Sequence, residues 1–109
     1  MRGLMLAMAV LFAGVATTTA AADVPEFHLL LQDHQFQPAT LKVPANTRFK
    51  VLVTNRNAMP SEFESADFNR EKIVLPNSTI TVFIGPLKPG SYRFFDDFHQ
   101  ATVGTLVVE

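Results

Sequence analysis

From residue 26 onward the chain is written in short apolar runs, each stopped by turn chemistry before it reaches the length of a useful helix. Residues 26–31 stop at Gln32-Asp33, and 40–43 stop at Pro44-Ala45-Asn46. Residues 47–54 alternate around Phe49, Val51 and Val53 and end at Asn55-Arg56-Asn57. Phe63 sits in a short segment after Pro60, 71–75 runs into Pro76-Asn77-Ser78, and 79–84 alternates again before Gly85-Pro86. Lys88-Pro89-Gly90 opens 91–95, and 104–108 closes the chain. Regularly spaced short strands with Pro and Gly between them predict an all-β antiparallel sandwich or barrel. No stretch past the N-terminal segment has a helical apolar period, and the one helical feature expected is a short turn near 66–70. Phe36, Phe49, Phe63, Phe83 and Phe94 fall at inward strand positions. Burying each contributes roughly 1.5–3 kcal/mol, a large share for a small domain.

The N-terminal segment is set apart from this pattern. Arg2 gives a positive start, residues 4–15 are apolar, and Thr17-Thr18-Thr19-Ala20-Ala21-Ala22 supplies small residues before Asp23. The apolar run is short of the ~20 residues that span a bilayer. The pattern is that of a secretory signal peptide over residues 1–22, cleaved after Ala22, followed by a single domain over 23–109. With Arg2 removed from the nine Lys and Arg, eight basic residues face ten acidic ones, and no basic block exists. That argues against nucleic acid and anionic lipid as partners. The chain has no cysteine. It therefore has no disulfide framework, no thiolate nucleophile and no thiolate metal ligand. Nor does it contain a Ser-His-Asp order, a phosphate-binding Gly-rich loop or a histidine-rich metalloprotease motif, so a hydrolase or transferase is not expected.

The closing segment, Phe95-Asp96-Asp97-Phe98-His99-Gln100-Ala101-Thr102, resembles the ligand loop of a cupredoxin. Further segments extend the resemblance to small cupredoxin-like domains of bacterial iron uptake, of the EfeO and FtrB kinds. They are Gln35-Phe36-Gln37-Pro38-Ala39-Thr40-Leu41-Lys42-Val43-Pro44-Ala45, Met59-Pro60-Ser61-Glu62-Phe63-Glu64-Ser65, Arg70-Glu71-Lys72-Ile73-Val74-Leu75-Pro76, and Gly85-Pro86-Leu87-Lys88-Pro89-Gly90-Ser91-Tyr92-Arg93-Phe94. Together they cover nearly all of 23–109. The resemblance implies a Greek-key β-sandwich exported to the periplasm and acting on iron or copper beside an inner-membrane iron permease. It also implies departures. Blue-copper relatives carry histidine at the Ser61 position, cysteine at Asp96 and methionine at Thr102. EfeO-type domains carry cysteine at Phe36, glutamate at Glu62 and cysteine at Asp96. Sulfur ligands have given way to oxygen, and any metal site has been rebuilt.

The expected ligands are Glu62, Asp96, Asp97 and His99, with Met59, Glu64 and His34 as lesser candidates. Carboxylates with one imidazole suit Fe(II), Fe(III) or Mn, with Cu(II) and Zn competing through raw affinity. A role as an accessory to Fe(II) oxidation follows from that chemistry, because carboxylates stabilise Fe(III) over Fe(II). Each residue also has a plainer reading. Asp96-Asp97 serves equally as a solvated turn. Glu62 and Glu64 share one face of a strand by period-two alternation, as outward residues of an edge strand would. Met59 is a soft Cu(I) ligand or a hydrophobic loop anchor. His34 reads as a surface-turn histidine, His28 as a solvent-face residue, and Phe95 and Phe98 as a wall or docking surface about the aspartates. Copper binding through Met59 and a histidine, or a metal-free adaptor of a transporter, are the alternative functions.

Overall fold

A computed structural model describes residues 24–109, and the expected signal peptide lies outside the described residues. Nine strands form there: β1 (Glu26–Gln32), β2 (Gln35–Gln37), β3 (Thr40–Val43), β4 (Phe49–Asn55), β5 (Ser61–Ser65), β6 (Arg70–Val74), β7 (Ser78–Ile84), β8 (Gly90–Asp96) and β9 (His99–Val108). They make two sheets, in the orders β2-β1-β4-β7 and β3-β9-β8-β5-β6. Alternation decides what lies between them. In β4, Phe49, Val51, Val53 and Asn55 are buried while the residues between them are half-exposed. Leu29 and Leu31 do the same on β1, and Leu106 and Val108 on β9.

The centre is aromatic. Phe36 packs edge-on to Phe94 at 4.8 Å, and Phe94 lies 5.4 Å from Phe63. Such contacts add about 0.5–1.5 kcal/mol each beyond the area they bury. Phe36 is 3% exposed, so this corner of the sandwich is packed shut with hydrocarbon. Gly104 on β9 lies across from Phe94, and its missing side chain makes room for that ring.

Four expectations need correction. The sandwich is not wholly antiparallel: β1 pairs with β4, and β3 with β9, in parallel. Residues 66–69 form a turn rather than helix, and Phe68 within it is buried against Phe63. Phe83 faces outward, 41% exposed, beneath the Arg48 guanidinium at 4.8 Å. Strand β2 is a three-residue strand paired with β1 through Asp33-His34. Both turn residues have positive φ, 52° and 57°, the backbone twist that a two-residue hairpin favours. Among the described residues, no helix is long and apolar enough to cross a membrane.

Candidate metal centre

Strand β5 lies between β8 and the edge strand β6. Its alternation sends Ser61, Phe63 and Ser65 into the sandwich and turns Glu62 and Glu64 to the outer face. Glu62 is nevertheless only 8% exposed. The two-residue β8–β9 turn, Asp97-Phe98, lies against it, with the Asp97 N–H donating to the Glu62 carbonyl at 2.9 Å. This contact carries the Asp97 side chain to the glutamates. Glu62, Glu64 and Asp97 each offer an oxygen within 4.8 Å of the others. Glu71 on β6 pairs directly with Glu64 and adds a fourth carboxylate to the same face.

No ion pair among the described residues involves this cluster. Among the described residues the ion pairs are those of Glu26 with His28 and Lys50, remote from the cluster in sequence and on the other sheet. Burial raises the proton affinity of Glu62 above the ordinary glutamate value, and Glu71, Glu64 and Asp97 raise it further. Glu64 is raised likewise by burial, then by Asp97 and Glu71. A carboxylate group held together in this way needs protons or a cation to relieve its repulsion. Gln100 donates from Nε2 to Asp97 Oδ1 at 3.0 Å and fixes that side chain.

The other expected ligands go elsewhere. Asp96 ends β8 two residues after the inward Phe94, so alternation turns it inward as well, and it is 1% exposed. Its Oδ1 accepts the N–H groups of Glu62 at 2.9 Å and Phe98 at 3.0 Å. His99 and His34 are not part of the carboxylate group. Their rings stack at 4.2 Å with 18° between planes, so His34 is a half-buried contact between the two sheets and not a surface-turn histidine. Thr102 donates its one hydroxyl proton to the His34 carbonyl. It must therefore accept from His99 Nδ1–H, at 2.8 Å, so that in a neutral imidazole the lone pair falls on Nε2. Met59 is 51% exposed on its loop, its carbonyl accepting from Asn55 Nδ2. The grouping thus joins Glu62 and Asp97, adds Glu64, and leaves out Asp96, His99, His34 and Met59.

A His₂Cys copper centre does not fit this chain. It has no thiol, and the Ser61 hydroxyl at the histidine position is buried without a hydrogen-bond partner. Asp96 Oδ1 is committed to two backbone amides and the Thr102 hydroxyl to two neighbours. Three oxygen donors on the outer face fit a harder cation.

A two-sheet sandwich with a remodelled ligand loop at one end defines a cupredoxin-type protein, and comparison with known proteins agrees. Residues 4–108 match the cupredoxin-like domain family, and the chain belongs to it. It is 38% identical over 86 residues to the uncharacterized protein RP394 of Rickettsia prowazekii (strain Madrid E), covering 79% of this chain and 69% of that one. Among solved structures it resembles a purple cupredoxin from Nitrosopumilus maritimus, with TM-score 0.60, 19% identity and coverage of 80% and 100%. It also resembles reduced auracyanin from Roseiflexus castenholzii, with TM-score 0.63, 15% identity and coverage of 77% and 96%. At those identities the likeness is one of fold.

Proposed function

We propose that this protein is an exported, periplasmic iron-binding cupredoxin that takes its cargo at Glu62, Glu64 and Asp97. It assists oxidation of Fe(II) or hands iron to an inner-membrane permease. The observation that carries this reading is the carboxylate group itself, three oxygens within 4.8 Å of one another and, among the described residues, no basic partner. Three negative charges match a di- or trivalent ion, and oxygen donors favour the trivalent one. Oxidation then releases one electron per iron, which dioxygen or a partner redox protein accepts. The opening to solvent at Glu64 and the nearby exposed Phe98 suit a site that loads and unloads.

The test is anaerobic Fe(II) titration followed by admission of air, on wild type, Glu62→Gln/Glu64→Gln and His99→Ala. Wild type and His99→Ala are expected to bind iron and to hasten its oxidation, and the double variant to do neither. Equal behaviour of wild type and the double variant would refute the reading. One observation favours a second reading, copper delivery: with Nδ1–H donating to Thr102, the neutral His99 imidazole presents the Nε2 lone pair as a Cu ligand. That reading predicts copper binding lost in His99→Ala and intact in the glutamine variant.

A further inference from the structure

We infer that Asp96, the inward neighbour of the carboxylate group, is its positioning residue: one buried oxygen holds the two backbone segments that bring Glu62 and Asp97 together. The inference rests on the cation-binding reading of Glu62, Glu64 and Asp97.

Glu62 lies on β5 and Asp97 in the β8–β9 turn, and the two meet only if strand and turn keep one relative position. The register beside them is weak. β8 pairs with β5 only at Phe63↔Asp96 and Glu64↔Phe95, and the β8–β9 ladder is irregular between Phe95 and Asp96. Asp96 Oδ1 makes good this gap from inside. It accepts the Glu62 N–H at 2.9 Å and the Phe98 N–H at 3.0 Å, one amide on each segment. The Asp97 N–H to the Glu62 carbonyl, at 2.9 Å, closes the loop on the other side. The two ligand side chains thus hang from a frame of three hydrogen bonds, two of which end on a single oxygen. Asp96 as a residue is 1% exposed, which leaves little room for water to compete for the amides.

Asp96 is on this account neither a ligand nor interchangeable with one. What it supplies is an acceptor oxygen at a fixed point, and asparagine offers that oxygen too. The experiment is Tb(III) luminescence titration, Tb(III) standing for a hard trivalent cation, on wild type, Asp96→Asn, Asp96→Ala and Glu62→Gln. Amide proton shifts and exchange rates of residues 62 and 98 are recorded alongside. Asp96→Asn is expected within about threefold of wild-type affinity, and Asp96→Ala at least about tenfold weaker, the range seen when a ligand loses its orienting partner. In Asp96→Ala the two amides are expected to move upfield and exchange faster.

Wild-type affinity in Asp96→Ala would overturn the inference while leaving the carboxylate site standing. So would a loss in Asp96→Asn as large as that in Glu62→Gln, which would make Asp96 a charge donor or ligand. Where Asp96→Ala does not fold, the asparagine variant decides: unprotected amides at residues 62 and 98 together with normal Tb(III) binding refute positioning. Failure of wild type to bind Tb(III) refutes the carboxylate site and this inference with it.

Discussion

Glu62→Gln is expected to make the metal-free protein more stable at neutral pH while weakening its grip on hard cations. The two effects have one cause. In the folded state burial and the charges of Glu71, Glu64 and Asp97 hold the Glu62 carboxyl above its ordinary proton affinity. The folded form then binds protons more tightly than the unfolded chain, so its stability falls as pH rises past the ordinary glutamate value of 4.5 and through the raised folded values. Glu64 contributes in the same direction. Below 4.5 the contribution is fully present; above the raised values it is lost. Glutamine at position 62 removes one titrating group and relieves its neighbours, so melting temperature against pH should run flatter above that point. A bound cation does the same for wild type by mass action, adding about 2.7 kcal/mol at a hundredfold excess over Kd. Thermal melts from pH 4 to 8, with and without Mn(II), measure both. Cation affinity should fall on the order of 100-fold with one ligand charge removed, as charge count tunes oxygen-donor sites over decades. A glutamine variant less stable than wild type at pH 7 without metal would show that Glu62 is held by favourable contacts, against this account.

Gly104→Ala is the substitution expected to do most harm to the fold. A Cβ there would lie 2.3, 2.4 and 2.7 Å from three atoms of the Phe94 ring. The ring has nowhere to go, being 1% exposed and held by Phe36 and Phe63. Overpacking of a filled core costs about 1–3 kcal/mol and more where the backbone must move. A loss of about 3 kcal/mol or more is expected, read as a lower urea midpoint at unchanged slope. Phe94→Leu alone leaves a gap, yet the pair Gly104→Ala/Phe94→Leu should be less damaged than the sum of its parts, because the leucine yields the space the methyl needs. Additive losses would mean that Gly104 matters for its backbone and not for the ring above it.

The strands were legible because alternation is a local signal. Residues 49–55 and 78–84 announce themselves by period two, and Pro and Gly mark where they stop. Gln35–Gln37 escaped because a single phenylalanine between two glutamines has no period to read. The parallel pairs escaped because nothing local distinguishes the strand that lies beside β1 or β9. Phe83 is large and apolar, but period two sets it with Thr79 and Thr81, opposite the buried Val82 and Ile84, and so under Arg48. At the site, Glu64 was within reach of the sequence, since it shares a face with Glu62 by alternation. Asp96 was misread because its partners are backbone amides, one of them 34 residues away, and backbone amides leave no trace in side-chain identities. The stack of His34 on His99 likewise joins the two sheets through geometry alone. Residue type indicates which cation a site would favour; topology chooses which of the eligible residues meet.

The most direct measurement is the electron paramagnetic resonance signal of aqueous Mn(II), titrated with wild type and with Glu62→Gln/Glu64→Gln/Asp97→Asn. An oxygen-donor centre on the outer face of β5 predicts loss of the six-line signal at one Mn(II) per wild-type chain and none with the triple variant. A signal that survives wild-type protein, or that both proteins remove alike, would contradict it.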